Sequence, residues 1–230
     1  MLIHFRIATY NIHQCVGMDG IRDPRRIAAV LNEIDADIVA LQEVTSHPQM
    51  SDDMLAYLAT AAVMVPIEGF TLTSAGSRYG NALLSKLPVS AVNLIDISMR
   101  GREPRGVIEV EFNFNRKTVG LWATHLGLAI RERHQQINTL LKVIDAANAD
   151  VSILLGDLNE WLPWCRPLLA LHRWFTATQS PATFPSRRPF LKLDRIWVRP
   201  VDGLTTLRAH STKLSRVASD HLPLVAEVAL

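Results

Sequence analysis

The hydrophobic positions of the chain form short apolar runs, which alternate with segments whose apolar residues recur at helical spacing. Short continuous runs are typical of strands that are buried inside a sheet. The strands predicted in this way are Ile3–Thr9, Ile38–Leu41, Asn81–Ser85, Val89–Ile97, Val107–Phe112, Thr118–Thr124, Val151–Leu155, Leu193–Val198 and Leu222–Val228. Strands that alternate with helices indicate an α/β fold.

Two segments between these strands predict helices. Asp23 is suited to cap a helix that begins with Pro24 and ends near Ile34. In the second segment, Arg131–Ala147, apolar residues recur three or four positions apart, at Ile137, Leu140, Leu141 and Ile144. The polar segment Asn113–Lys117 separates two strands and predicts a hairpin. Hairpins together with helical crossovers indicate either two sheets or one mixed sheet with helices outside it.

The composition narrows the class of protein. A chain of 230 residues with 48% hydrophobic residues can form one sizeable core, so we expect a single domain over residues 1–230. The net charge of +2 is too small to indicate a polyanionic partner. Cys15 and Cys165 cannot form a disulfide framework. The chain shows no secretory signal and no apolar run of the roughly 18 residues that a membrane helix needs, which predicts a cytoplasmic location.

Polar side chains stand where several predicted strands end, and adjacent strand ends can hold such side chains over one cleft. They are Asn11, Glu43, His125, Asp157, Asn159, Asp220 and His221. Carboxylate and amide oxygens suit Mg²⁺ or Mn²⁺. The histidines can bind phosphate oxygens, protonate a leaving group or stabilise charge. The set therefore predicts a metal-dependent hydrolase of phosphate esters, with Mg²⁺ as the first candidate cofactor and Mn²⁺ as the second.

Seven short motifs strengthen this prediction because of their order. They are Thr9–His13, Leu41–Val44, Gly80–Ser85, Thr124–Leu126, Gly156–Asn159, Leu193–Ile196 and Ser219–Pro223. They resemble the motifs of the endonuclease/exonuclease/phosphatase family, occur in that family's order and span nearly the whole chain. The segments Glu103–Gly106 and Thr183–Ser186 further resemble a compact bacterial branch of the family.

The resemblance implies a fold and a metal site. The fold would be a four-layer α/β/β/α sandwich of two packed mixed sheets, with the active site at one end of them. Glu43 and Asn11 would lie at the primary metal ion. Asp220 would be close enough to help directly or through a water molecule.

The resemblance also implies catalytic roles. Asp157 would orient or deprotonate the attacking water, and Asn159 would hold that water or a phosphate oxygen. His221, steadied by Asp194, would stabilise the negative charge that develops on phosphorus. His125 would contact the phosphate or assist the leaving group. Phosphoryl transfer depends mostly on positioning and electrostatic stabilisation, which such a set can supply.

Four further residues are expected to contact the substrate: Arg105, Asn81, Arg78 and His13. Arg105 follows a stiff loop, and its guanidinium is suited to bidentate contact with phosphate. His13 could equally satisfy backbone groups after a strand. Arg78 lies in a Gly/Ser-rich loop and could equally be solvated.

The identity of the ester stays open at this stage, because the same catalytic set serves nucleases, lipid phosphodiesterases and inositol phosphatases. The connection Ile12–Ile21 is longer than in apurinic-site repair enzymes, which argues against a repair role. Basic residues in Arg187–Arg199 and Arg100–Arg105 could meet phosphate backbones, anionic lipid headgroups or only solvent. Trp161 and Trp164, just beyond Asn159, either line the rim of the cleft or pack against it.

We therefore expect a phosphodiesterase whose substrate is a lipid or small-molecule diester. An endonuclease or exonuclease that acts on nucleic acid is the alternative within enzymes. A catalytically silent binding module on the same fold is the alternative from another class, although such a module has no chemical reason to keep the whole set of acids, amides and histidines. Nothing in the sequence indicates a transmembrane segment or an obligate protein partner.

Overall fold

The computed structural model of the protein describes residues 3–49, 53–162, 164–176 and 179–230. Its strands are β1 (His4–Asn11), β2 (Ile38–Ser46), β3 (Val65–Ser74), β4 (Ser77–Ser85), β5 (Ala91–Asp96), β6 (Gly106–Phe114), β7 (Lys117–His125), β8 (Val151–Asp157), β9 (Asp194–Arg199), β10 (Leu204–Ala209) and β11 (Leu224–Ala229). Its helices are α1 (Pro24–Ile34), α2 (Met54–Ala62), α3 (Ile130–Ala146), α4 (Arg166–Phe175) and α5 (Ser215–Ala218).

The strands form two mixed sheets that pack face to face. One sheet has the strand order β10-β11-β1-β2-β4-β3, and the other has the order β5-β6-β7-β8-β9. β1 is parallel to β2, and β7 is parallel to β8, whereas the other neighbouring strands are antiparallel. Apolar side chains from both sheets form the buried layer between them, among them Ile7, Leu83, Leu121 and Ile153.

Helices cover the outer face of each sheet. On the first sheet, α1 and α2 bury Ile27 and Leu58. On the second sheet, α3 and α4 bury Leu140 and Leu171. The protein is therefore a four-layer α/β/β/α sandwich, and the predicted fold is confirmed. Within the described ranges, none of the helices combines the length and the apolar composition of a membrane-spanning segment.

The hydrophobic pattern does not predict α2, β3, α4 or β10. α2 contains no charged residue, so it shows little contrast between a polar and an apolar face. β3 is an edge strand that contains Pro66 and Gly69, and it is defined by its pairing with β4 rather than by its own composition. α4 is a short segment with Pro167 as its second residue. In so short a segment, periodicity alone does not distinguish a helix from a strand. β10 is short and largely exposed.

The structure also corrects the ends of three predicted strands. β1 continues to Asn11 because it pairs with β2 over its whole final part. β2 continues to Ser46, well beyond its apolar run. β11 begins at Leu224 rather than Leu222, because the Leu222 N–H donates to the carbonyl of Thr183 and the proline that follows has no N–H to pair.

Candidate active site

The residues of the family-like motifs meet at one end of the two sheets. Asn11, His125 and Asp157 are the last residues of β1, β7 and β8. Asp194 is the first residue of β9 and lies directly opposite Asp157 in the antiparallel pair. His221 lies in the segment that leads into β11, and its ring is within reach of both aspartates. This end of the sandwich carries the candidate active site.

Glu43 reaches this end through a bulge in β2. The pairing of β2 with β4 shifts between Leu41 and Val44, where β2 has one extra residue. Glu43 has a φ of 58°, in the left-handed region that residues other than glycine rarely adopt. The sequence pattern places Glu43 after a strand, but the residue lies inside β2. The bulge brings its carboxylate to the side chain of Asn11.

Gly156 allows β8 to approach β7 closely just before Asp157. Its φ is 148°, and a Cβ atom built at this position would lie 1.9 Å from the carbonyl oxygen of Thr124. No side chain can be accommodated at that distance without movement of the backbone. The glycine therefore fixes the spacing between the strand ends that carry His125 and Asp157.

We expect Gly156→Ala to lower the free energy of unfolding by about 2–4 kcal/mol, through the steric clash and the positive φ together. Urea titration followed by circular dichroism measures this loss. Gly76→Ala is the matched control, since Gly76 has a φ of 81° but open space where a Cβ atom would lie. It should cost only about 1 kcal/mol. Equal losses in the two variants would contradict the close approach of the strands.

Asp157 is the buried carboxylate at the centre of the site. Its oxygens accept hydrogen bonds from the amide nitrogen of Asn11 at 3.0 Å and from the backbone N–H of Asn159 at 2.9 Å. The Nε2 atoms of His125 and His221 lie 3.6 Å and 3.7 Å from its Oδ2. Burial alone would raise the pKa of Asp157, but the nearby histidines and the hydrogen bonds lower it. Asp157 is therefore ionised at neutral pH.

His221 and Asp194 form a buried pair next to Asp157. The Nδ1 atom of His221 lies 2.8 Å from Oδ2 of Asp194, and the hydroxyl of Thr183 donates to the same oxygen at 2.5 Å. Burial opposes the protonation of His221, but the charges of Asp194 and Asp157 outweigh it and raise the pKa of His221 to about 10. His221 is therefore an imidazolium at neutral pH, and its free Nε2–H points toward the centre of the site.

His125 has the opposite protonation state. Burial is the main reason why the pKa of His125 is lowered to about 4; the negative charge of Asp157 opposes this shift, and the positive charges of Arg105 and His221 add to it. Nη1 of Arg105 lies 3.0 Å from Nδ1 of His125. Nε2 of His125 lies 3.0 Å from the amide nitrogen of Asn159, which also donates to the carbonyl of Leu126. Hydrogen-bond donors therefore face both ring nitrogens, and this arrangement disfavours an imidazolium at His125. Arg105 is itself buried, and within the described part of the chain its Nε has no hydrogen-bond partner.

A second group of oxygen-bearing side chains lies beside Asp157. The amide nitrogen of Asn11 bridges Asp157 and Oε1 of Glu43, which it contacts at 2.9 Å. Burial raises the pKa of Glu43, and the negative charges of Asp220 and Asp157 raise it further. Three carboxylates thus converge without a neutralising Lys or Arg contact among the described residues. A divalent cation would relieve this repulsion, so the chemistry of the site fits a hard metal ion.

Two groups of residues could hold that ion. Ligand atoms of Asp157, Asp194 and His221 lie within 4.8 Å of one another. However, metal binding there would require His221 to lose the proton that its two aspartates stabilise. Glu43 and Asp220 are more open to solvent than that buried cluster, so they are the better candidates. Asn11 directs its amide nitrogen at the carboxylates and accepts the His13 N–H with its oxygen, so in this arrangement it orients Glu43.

Comparison with known proteins agrees with this geometry. The model of the Endonuclease/Exonuclease/phosphatase family matches residues 8–221. The chain belongs to the endonuclease/exonuclease/phosphatase family. Members of this family hydrolyse phosphoester bonds and depend on divalent metal ions.

Individual relatives cover nearly the whole chain. The Escherichia coli K12 protein named "Uncharacterized protein YbhP" is 30% identical, over 98% of this chain and 96% of its own length. A solved endonuclease/exonuclease/phosphatase from Beutenbergia cavernae has a TM-score of 0.77 and 25% identity, over 99% of this chain and 72% of that one. TDP2 from D. rerio, solved with a single-strand DNA product, has a TM-score of 0.71. Its 17% identity, over 97% of this chain and 98% of that one, shows a common fold only.

The other residues predicted to contact substrate lie in different surroundings. His13 lies at the edge of the site, with Nδ1 3.9 Å from Oδ1 of Asp220. Asn81 is buried and donates to the carbonyl of Gly106 at 3.4 Å, so it ties the two sheets together beside Arg105. Arg78 lies apart from the catalytic group, because its guanidinium is held by Glu68 and stacks on a phenylalanine ring. For all four residues, Arg105 included, contact with substrate stays a prediction.

Sequence reasoning misses two supporting features of the site. Thr183 belongs to a family-like segment, but nothing in its type predicts the hydrogen bond to Asp194. Arg133 and Glu160 form a buried ion pair, with Nη2 2.9 Å from Oε2. This pair joins the start of α3 to the residue that follows Asn159. Its only signal in the sequence is the position of Glu160 directly after a catalytic motif.

Proposed function

We propose that this protein is a divalent-metal-dependent phosphodiesterase whose substrate is a lipid or small-molecule diester. The observation that carries the proposal is the pair of histidines around Asp157. One is a neutral ring, His125, and the other is an imidazolium, His221, and the Nε2 atom of each lies within 3.7 Å of the same oxygen of Asp157. An ionised carboxylate beside one neutral and one protonated histidine suits the attack of water on a phosphate group.

Each residue then has a separate task. Asp157 orients the attacking water and accepts its proton, while Asn159 holds the water or a phosphate oxygen. His221 presents positive charge to the phosphoryl oxygens as negative charge builds on them. His125 contacts the phosphate or assists the leaving group, and Arg105 contacts phosphate with its remaining N–H groups. A cation held by Glu43 and Asp220 would supply further positive charge at a phosphate oxygen.

A nuclease is the second candidate. D. rerio TDP2 shares the fold and was solved with a single-strand DNA product. The basic segment around Arg187 and Arg188 is exposed and could contact a phosphate backbone. The catalytic group described above serves either substrate, so the test has to compare substrates directly.

A panel of substrates tests the proposal. We expect hydrolysis of bis-(p-nitrophenyl) phosphate with Mg²⁺ or Mn²⁺, slower hydrolysis of the monoester, and no turnover in EDTA. Cleavage of an anionic phospholipid but not of plasmid DNA supports a lipid substrate, and the reverse result establishes the nuclease. If no substrate is cleaved with any metal, the protein is a silent binding module.

The same panel tests the metal ligands. Glu43→Gln should raise the Mg²⁺ concentration needed for half-maximal activity by about 10-fold or more, since one ligand charge is lost. Glu111→Gln, on the exposed side of β6, is the matched control and should leave this concentration unchanged. An unchanged metal requirement in Glu43→Gln would place the cation elsewhere, with the Asp157, Asp194 and His221 cluster as the next candidate.

A further inference from the structure

Large apolar side chains protrude from three loops at the catalytic end. Leu128 lies between β7 and α3, and Ile130 is the first residue of α3. Trp161 and Trp164 lie between β8 and α4, and Phe190 lies before β9. These five side chains, which we call the apolar rim, are between 51% and 74% exposed. Monomeric proteins expose single apolar residues commonly, but several together on neighbouring loops indicate an interaction surface.

The three loops lie side by side. The Leu126 N–H donates to the carbonyl of Asp157, and the Leu158 N–H donates to the carbonyl of Leu193. The loops that leave β7 and β8, and the loop that enters β9, are therefore held next to each other beside the catalytic residues. A groove of about 460 Å³ runs between the first two loops, and Ile130 and Trp164 line it.

The exposed charge around the apolar rim has one sign, because the flanking Glu132 and Glu160 are buried and Glu160 is paired with Arg133. Segments 128–131, 161–166 and 187–192 contain five cationic residues and no acidic residue, although the whole chain has 24 Lys and Arg against 22 Asp and Glu. These cations are Arg131, Arg166, Arg187, Arg188 and Lys192. All five are exposed. None of them forms an ion pair with another described residue.

We propose that the apolar rim and its five cations form a docking surface for an anionic phospholipid membrane. Tryptophan and phenylalanine side chains are suited to the headgroup region of a bilayer, and exposed Lys and Arg are attracted to its negative surface. The proposal goes beyond the proposed function and does not rest on it, because membrane binding needs no turnover. If both hold, the active site faces the membrane surface.

A nucleic-acid surface is the competing interpretation of the same loops. Base stacking requires aromatic rings that alternate with basic residues along a groove. Leu128 and Ile130 are aliphatic and offer no stacking surface, whereas insertion into a lipid interface uses aliphatic and aromatic side chains alike. The observations therefore favour the membrane.

Co-sedimentation with vesicles tests the proposal. The full chain is mixed, in EDTA, with vesicles of phosphatidylcholine alone or of equimolar phosphatidylcholine and phosphatidylglycerol. We expect binding to the anionic vesicles only, with a loss of binding as salt is raised. Arg188→Gln/Lys192→Gln should weaken binding by about 20-fold, given the contribution of each cation near an anionic surface. Trp164→Ala/Phe190→Ala should also weaken it.

The controls lie at the opposite end of the strands. Arg116→Gln/Lys117→Gln removes two exposed cations from the β6–β7 turn and should bind like the parent protein. The rim variants should keep the circular dichroism spectrum and the urea midpoint of the parent protein, which shows that they fold. Equal binding to neutral vesicles, or equal loss in the control variant, would overturn the proposal. Binding of an oligothymidylate without binding of vesicles would also overturn the proposal.

Discussion

Asp157→Asn should lower kcat for bis-(p-nitrophenyl) phosphate by about 10⁴-fold in saturating Mg²⁺. The substitution keeps the shape of the side chain but removes the carboxylate placed between both histidines. An amide cannot take a proton from water, and its nitrogen would face one of two donors, either Asn11 or the Asn159 N–H, because each donates to a different oxygen of Asp157. The loss should fall on kcat rather than on KM, because Asp157 acts on the water and not on the bound ester.

Two measurements separate this effect from misfolding. The far- and near-ultraviolet circular dichroism of Asp157→Asn should match that of the parent protein. Asp202→Asn, in an exposed turn remote from the site, is the matched control and should keep full activity. A kcat within a few-fold of the parent value in Asp157→Asn would rule out the role of Asp157 and leave the attacking water without a base.

His221→Gln should lower kcat by about 10³-fold. Glutamine retains a hydrogen-bond donor but carries no charge, so the variant isolates the contribution of the imidazolium. The buried partner Asp194 is then left without its cation, which should also lower the free energy of unfolding. Steady-state kinetics and urea titration measure the two losses separately. Normal kcat with lowered stability would show that the pair is only structural.

The pH profile tests the source of the charge. Although burial opposes it, the charges of Asp194 and Asp157 raise the pKa of His221 to about 10, so the imidazolium persists through neutral pH and is lost as pH rises through about 10. Asp194→Asn removes one of these charges, which lowers the pKa of His221. The alkaline decline of kcat should therefore begin at lower pH in Asp194→Asn than in the parent protein. Coincident profiles in both proteins would contradict this assignment.

The sequence predicts the layers of the fold well, because burial leaves a strong hydrophobic signal. The buried strands, the Asp23 cap of α1 and the β6–β7 hairpin are all present in the structure. Elements that depend on a partner rather than on their own pattern are missed. β3 shows this most clearly, since an exposed strand that contains proline and glycine is specified by its neighbour β4.

The candidate site is predictable as a set of residues but not as an arrangement. The motifs identify Asp157, His125 and His221 as candidate residues. They do not predict that the two histidines have opposite protonation states. Those states depend on contacts with Arg105 and Asp194, which are remote along the chain. The sequence also does not predict that Glu43 lies inside a strand, because a bulge depends on the register between two strands.

The left-handed backbone of Glu43 has a consequence for engineering. Glycine would relax this position, but it would remove the carboxylate on which the proposed metal site depends. Selection for thermal stability alone at this position would therefore remove the carboxylate. The turn at Asn115 and Arg116 is also left-handed at both residues, lies at the far end of the strands and carries no proposed chemistry. Stabilising substitutions are better sought in this turn. Arg116→Gly would place there the Asn-Gly pair that hairpin turns favour.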